Sequence, residues 1–285
     1  MPELDPSTSK KLVKGRTLNA ENYYSQSMSQ AYMGSTQYKN FAGTPGSPGC
    51  EARALAELSG EWHEEPSQAM LIGSYIDSHF EGTLDVFKAL HPDIFTKQGE
   101  LMASFRYANE IINRIERDAY FMKFMSGEKQ KIFTANMFGC DWKIKLDSYL
   151  PGVAIVDLKI MGELRKTFWN NGVAMSFIEN WGYDIQAAIY QKVVEINTGD
   201  RLPFFIAGAS KEKPEPDIEI IAIDDETLDK KLFEVEQAMH RINALKSGEE
   251  LKDPVERCGQ CDYCRNTKVL EKPIHYSDLT FFRGR

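Results

Sequence analysis

Val153-Ala154-Ile155-Val156-Asp157-Leu158-Lys159-Ile160 is the stretch whose reading decides the fold. A short, nearly continuous apolar run reads as a strand buried on both faces, the centre of a sheet. Residues two apart on a strand face the same side, so Asp157 and Lys159 point together while Leu158 points into the opposite layer. A charge at the end of a central strand is costly unless it is partnered. Ten residues before Asp157 lies Asp147, in the alternating run Asp141 to Leu150. There Asp141, Lys143, Lys145 and Asp147 share one side, with Trp142, Ile144 and Leu146 on the other. Pro151-Gly152 is the turn between the two runs. A hairpin in the right register brings Asp147 to the pocket of Asp157 and Lys159. Mg²⁺ takes oxygen ligands in octahedral geometry, and Asp147, Asp157 and the Leu158 carbonyl can supply them. Lys159 would then orient or help deprotonate a water, and the ion would lower that water's pKa. Such a constellation points toward phosphodiester hydrolysis, although Asp-x-Lys alone is a short and common pattern.

The whole chain sets the frame. Its 285 residues can bury a full core, and its 42% hydrophobic and 27% charged residues are those of an ordinary globular protein. The expected division is a leader with a short helix over 1–66, a core over 67–247, and a cysteine-bearing segment over 248–285 that packs on the core. No apolar run approaches a membrane span, and the opening MPELDPSTSKKLVKG lacks the apolar centre of a signal peptide. A cytoplasmic protein without membrane contact is expected. With 34 basic and 42 acidic residues the net charge is -8, so any nucleic-acid groove must be a local basic strip.

The periodicity predicts helices over Cys50–Leu58, Ser67–Leu90, Glu100–Met125, Ser176–Ile196 and Asp225–Lys246. Strands are expected over Lys129–Phe138, Asp141–Leu150 and Val153–Ile160, forming a meander, and over Arg201–Ser210 and Ile218–Ile223. Residues 1–49 read as irregular, and residues 161–175 as a loop or broken helix. On the second helix Asp77 and Glu81 stand four apart and share a face, where they can extend the acidic site. On the fourth, Tyr183, Gln186 and Tyr190 lie on one side at spacings of three and four. Alone, each group also describes an ordinary solvated or packed helix face. Lys143, Lys145, Arg165, Lys166, Trp169 and Tyr183 are the candidate DNA contacts, the cations for phosphates and the rings for a frayed base.

Three of the five cysteines, Cys258, Cys261 and Cys264, crowd into seven residues. In a reducing compartment that spacing reads as metal ligation rather than disulfides. A fourth ligand is needed, with Cys50, Cys140 and His275 as candidates. Both Zn²⁺ and an iron–sulfur centre suit a thiolate cage.

Four motifs in fixed order carry a resemblance: Gly73-Ser74-Tyr75-Ile76-Asp77-Ser78-His79-Phe80-Glu81-Gly82, Lys145-Leu146-Asp147, Ile155-Val156-Asp157-Leu158-Lys159 and Tyr183-Asp184-Ile185-Gln186-Ala187-Ala188-Ile189-Tyr190. Together they resemble the PD-(D/E)XK nuclease superfamily, and within it the RecE-like exonucleases of phages and prophages with their PDDEXK-like relatives. The resemblance implies an α/β fold, a restriction-endonuclease-like core whose central mixed sheet is flanked by helices. It implies a Mg²⁺- or Mn²⁺-dependent DNA exonuclease with Asp147, Asp157, Lys159, Gln186 and Tyr190 as catalytic residues. Asp77, Glu81, Asp147, Asp157 and Leu158 would hold the metal. It further implies action on double-stranded DNA ends, a RecT-type annealing partner, a homo-oligomer, and a phage- or prophage-encoded protein of a bacterial cell. The chain departs from the pattern where relatives place a histidine four residues after the glycine; here that residue is Asp77, and His79 is displaced by two. Cys50 with Cys258, Cys261 and Cys264 resembles the [4Fe–4S] staple of nucleases of the Cas4 and AddB types, with Zn²⁺ as the alternative metal. Two other functions are weighed: an iron–sulfur nuclease of the Cas4 type trimming single-stranded ends, and a non-catalytic DNA-binding module that kept the fold.

Overall fold

The computed structural model describes residues 17–249 and 253–279. In chain order, helices α1 (Gln26–Ala31) and α2 (Ser35–Ala42) lead into a small hairpin, β1 (Gly43–Thr44) with β2 (Ser47–Pro48), and then α3 (Glu51–Ser59). Four helices follow: α4 (Gln68–Glu81), α5 (Leu84–Leu90), α6 (Ala103–Glu116) and α7 (Ala119–Phe124). The strands β3 (Lys131–Met137), β4 (Cys140–Leu146), β5 (Ser148–Leu150) and β6 (Ala154–Met161) come next, then the hairpin β7 (Phe168–Asn170) and β8 (Val173–Met175). Helices α8 (Phe177–Asn180) and α9 (Tyr183–Thr198) precede strands β9 (Phe204–Ser210) and β10 (Ile218–Ile223). The long helix α10 (Asp225–Ser247), the short α11 (Asp262–Asn266) and a 3-10 turn (Tyr276–Leu279) complete the described chain.

The central sheet runs β10-β9-β6-β5, with β6 parallel to β9 and the other pairs antiparallel, so the fold is an α/β fold around a mixed sheet. A parallel pair needs a crossover connection, and α9 supplies it between β6 and β9. Alternation on β6 divides two cores. Ile155 faces the same side as Phe204 and Ile206, against Ala187, Ala188 and Ile189 of α9 and Val235 and Met239 of α10. Ala154, Val156 and Leu158 face the other way, with Ala207 and Ala209, against Tyr75 and Ile76 of α4 and Phe105, Ile111 and Ile115 of α6. Burying one such large aliphatic or aromatic side chain stabilises the fold by about 1.5–3 kcal/mol, so both faces of β6 are committed and its register cannot slip.

Several elements differ from expectation. The meander breaks at Asp147: β3 and β4 form a separate two-stranded ribbon, while β5 joins β6 through the pair Ser148↔Val156. Past the end of β5 the Leu158 N–H donates to Asp147 Oδ2 at 2.9 Å, so a carboxylate takes the place of a ladder carbonyl. The predicted helix over Ser67–Leu90 is interrupted at Gly82, which caps α4 with φ 76°. The next is cut at Asp118, whose carboxylate accepts from the Phe121 N–H at 2.8 Å and starts α7. Residues 161–175 hold a hairpin whose turn is Asn171-Gly172, both at positive φ, the backbone that matches strand twist. The irregular reading of residues 1–49 fails for its described part. Met28, Met33, Tyr38 and Phe41 are buried there, and Met33 pairs with β4 through Met33 N to Asp141 O (2.7 Å) and Lys143 N to Met33 O (2.9 Å). No described helix is long and apolar enough to cross a membrane.

Candidate metal and active-site cleft

The sheet's divided faces bring Asp157 and Lys159 to the side of α9. Gln186, one turn into α9, donates from Nε2 to Asp157 Oδ1 at 2.7 Å and fixes that carboxylate. The other oxygen, Asp157 Oδ2, forms an ion pair with the Lys159 ammonium. Lys159 Nζ also lies 3.5 Å from the Leu158 carbonyl and 4.9 Å from the centre of the Tyr183 ring. Asp77 reaches the same cleft from α4, with its Oδ1 buried and without a hydrogen-bond partner among the described residues. Burial first, then the neighbouring charge of Asp157, pushes the Asp147 carboxyl up to about 7. Burial and then Asp147 likewise push Asp77 well above the ordinary carboxylate range. Burial works against the Lys159 ammonium, yet Asp157 and Asp147 outweigh it and the net shift is upward. Three acids, Asp157 buried and Asp77 and Asp147 half-buried, thus share one lysine, and among the described residues Asp77 Oδ1 has neither a hydrogen bond nor an ion pair. A cation is what such a set lacks, and an all-oxygen donor set suits a hard ion such as Mg²⁺ or Mn²⁺. The residues present fit that group.

A second ligand set closes the chain. The Sγ atoms of Cys50, Cys258, Cys261 and Cys264 all lie within 4.8 Å of one another, with Cys50 and Cys264 3.5 Å apart. Cys50, at the start of α3, is therefore the fourth member. Cys140 stands elsewhere, its thiol pushed up to about 11 by burial, and His275 Nδ1 contacts the Ser277 hydroxyl at 2.8 Å. Four soft thiol donors suit Zn²⁺ or an iron–sulfur centre. Next to the cage Glu51 receives Arg241 Nε at 2.5 Å, Arg241 Nη2 at 2.8 Å and the Glu256 N–H at 2.7 Å. This clamp ties the tail to α3 and α10 without any metal.

Residues 34–267 match the model of a family described as a PDDEXK-like domain of unknown function (DUF3799). The chain belongs to this family. The PDDEXK-like domain so defined contains every acid of the cleft and all four clustered cysteines. The chain is also similar, at 52% identity, to a protein of Eubacterium rectale provisionally designated an exonuclease, whose crystal structure superposes with a TM-score of 0.90. The match covers 94% of this chain and 100% of that one. No curated protein matches the sequence. The domain is thus a nuclease-like hydrolase fold with a cysteine group able to bind metal.

The remaining candidates are spread over the PDDEXK-like domain. Glu81 lines the cleft but is already engaged by Gln130 and, at 3.3 Å, by the Thr83 hydroxyl. Tyr190 lines it too, and burial followed by the charges of Asp157 and Asp147 raises the pKa of its hydroxyl. His79 faces away and bonds Glu116 at 2.7 Å. Among the expected DNA contacts Lys145 lies at the cleft with an ammonium that stands over the Tyr24 ring and makes no hydrogen bond or ion pair among the described residues. Lys143 lines the cleft but is buried, its ammonium donating to the Tyr23 carbonyl, so it cannot serve a phosphate as expected. Arg165 pairs with Asp217 at 3.5 Å and with Glu219 on β10, and it stands outside the cleft lining. Lys166 and Trp169 sit there as well, Lys166 Nζ 5.3 Å from the Phe168 ring and Trp169 70% exposed on its hairpin. The loop that carries them folds onto itself as β7–β8, which takes them from the acids. Tyr183 stands between two ammonium groups, Lys39 Nζ at 5.3 Å and Lys159 Nζ at 4.9 Å. The sequence reading missed Tyr23, Tyr24 and Lys39. Their only signal was aromatic and basic residues in a segment taken as irregular.

Proposed function

We propose that this chain is a divalent-metal-dependent deoxyribonuclease that trims single-stranded DNA ends, with a [4Fe–4S] cluster held by Cys50, Cys258, Cys261 and Cys264. The observation that carries this reading is the acid cleft, where Asp77 Oδ1 has no hydrogen-bond partner among the described residues while Asp147, Asp157 and Lys159 converge. The thiol cage favours the iron–sulfur nuclease reading over the phage-type duplex exonuclease. The assembled acids and lysine favour catalysis over a binding module that merely kept the fold. Asp77, Asp147, Asp157 and the Leu158 carbonyl would hold the divalent ion, which supplies Lewis acidity toward the phosphodiester and its attacking water. Lys159 keeps its proton beside the two carboxylates and can donate it in a hydrogen bond to an anionic phosphate oxygen. Gln186 holds Asp157 in one rotamer, and the Leu158 N–H does the same for Asp147, so both acids are set before substrate arrives.

A time course in Mg²⁺ with end-labelled single strands, the blunt duplex and closed circular DNA tests this, using wild type and Asp157→Ala. Single strands should lose label fastest, circles should survive, and the variant should be inactive. Equal activity in both proteins sinks the site. Faster digestion of duplex ends sinks the trimming reading in favour of the duplex exonuclease. The absorption spectrum of anaerobically purified protein separates a coloured iron–sulfur centre from colourless zinc.

A further inference from the structure

The acids account for only part of the cleft lining. Tyr23, Tyr24 and Lys145 border the same space, which measures about 580 Å³. That is the size of a small-molecule site, with room for a nucleotide. The two tyrosines are unequal. Tyr23 is 8% exposed and locked, its carbonyl accepting from the buried Lys143 ammonium and its hydroxyl donating to the Lys143 carbonyl at 3.4 Å. Tyr24 is 75% exposed, yet it stands edge-on against Tyr23 with ring centres 5.0 Å apart. The Lys145 ammonium lies 4.7 Å from the centre of the Tyr24 ring and 5.6 Å from that of Tyr23. An exposed aromatic ring on a rigid base, with a cation over one face that has no hydrogen bond or ion pair among the described residues, is the equipment for stacking one base on the other face and meeting one phosphate. Its distance from the chemistry is set by the backbone. Lys145 precedes Asp147 by two residues on one side of the chain, so their Cα atoms are about 7 Å apart at the strand rise.

We infer that Tyr24 and Lys145 form a station for the nucleotide adjoining the cleaved linkage, Tyr24 stacking its base and Lys145 contacting its phosphate, which selects a single-stranded DNA end. The inference rests on the nuclease reading above and adds the residue that determines strand choice. A paired base has its faces covered by its neighbours in the stack and cannot lie on Tyr24, whereas an unpaired end can.

The test measures binding of a fluorescent oligodeoxythymidylate, and of a labelled blunt duplex, by the full chain in Mg²⁺. Asp157→Asn blocks turnover in every protein used. Adding Tyr24→Ala should weaken single-strand binding between about 5-fold and 100-fold, the range for loss of one stacked base. Adding Tyr24→Phe, which keeps the ring, should leave it within 2-fold, roughly the scatter expected of a surface change. Duplex binding should be equally insensitive to either change. Unchanged single-strand binding in Tyr24→Ala overturns the station, as does an equal loss for both DNA forms. Failure of the parent Asp157→Asn protein to bind any DNA overturns the nuclease reading itself, and so is told apart from failure of Tyr24. Mn²⁺ titration of wild type and Tyr24→Ala should give equal affinities, because Tyr24 lies outside the acid set. A lower affinity in the variant would mean that it disturbs the acids rather than a stacking surface, and would also overturn the station.

Discussion

Asp147 serves the backbone and the cleft together. Its Oδ2 accepts the Leu158 N–H, which lacks a strand partner beyond β5, and its burial beside Asp157 pushes its pKa up to about 7. A carboxyl with that pKa holds a proton below neutrality and must release it before it can ligate a cation. Divalent-ion affinity should therefore fall as pH drops through about 7, from competition between proton and metal. Calorimetric Mn²⁺ titration at pH 6 and pH 8, in two buffers of different ionisation enthalpy, checks this. Weaker binding and greater proton release are expected at the lower pH. Equal affinity with no proton release would show that Asp147 is already ionised or is not a ligand. At this scale much of the site was legible. Asp157, Leu158 and Lys159 sit on the faces that alternation assigns them, because a period of two leaves no freedom once both sides of a strand are buried. Lys143 was not legible. Alternation gives its side of β4 correctly but cannot say that the Tyr23 carbonyl waits there, 120 residues away.

Two attachments, of different chemistry, bind the tail to the body. One is the cage of four thiols, and the other is the Glu51–Arg241 clamp, extended by Arg241 Nη2 to the Pro254 carbonyl at 3.0 Å and by the Ala52 N–H to the Glu256 carbonyl at 3.1 Å. Glu51 is buried and accepts three hydrogen bonds, whereas Arg241, which the substitution leaves behind, is about a third exposed and can return to water. Glu51→Ala should destabilise the protein by about 1–2 kcal/mol, mainly through the lost hydrogen bonds, read as a lower urea midpoint. Because the attachments are independent, chelation alone should leave residues 253–266 protected from hydrogen exchange, and chelation of Glu51→Ala should release them. Release by chelation alone would mean that the clamp is too weak to act by itself. The C-x2-C-x2-C spacing announced the cage, whereas nothing in the sequence announced the clamp, since Glu51, Arg241 and Glu256 meet only through tertiary structure. Helix interruptions divide in the same way. Gly82 and the Asn171-Gly172 turn were local signals that could have been read. The break of the meander at Asp147 was not, because it depends on a hydrogen bond to the next strand.

At the scale of the whole molecule, the segment from residue 17 to 49 is what the sequence hid most completely. Its polar, Tyr- and Gly-rich composition resembles a loop, yet it covers β4 and borders the cleft, and this covering buries cations that composition would leave in solvent. Lys39 in α2, Lys143 beneath Tyr23, and Lys246, which donates to Gln37 Oε1 at 3.0 Å, are each pushed down to about 8 by burial first. In the unfolded chain a lysine titrates at about 10.4. Between those values the unfolded state binds more protons than the folded state, so unfolding becomes less favourable as pH rises. Half-buried thiols, Cys140 and Cys261 among them, oppose this rise within the same range and reduce it. Burial raises the Cys140 thiol to about 11, so its folded form keeps a proton that the unfolded thiol loses from about pH 8.5 upward. Stability should accordingly increase from pH 7.5 to pH 9, by on the order of 1–2 kcal/mol after discounting for solvent screening, and decline at higher pH. Urea midpoints at these two pH values measure it. Lys143→Met should flatten the rise, because it removes one of the three titrating groups. A midpoint that stays level or falls between pH 7.5 and 9 would mean that the three ammonium groups are solvated in the folded protein, and that the segment from residue 17 to 49 does not cover them.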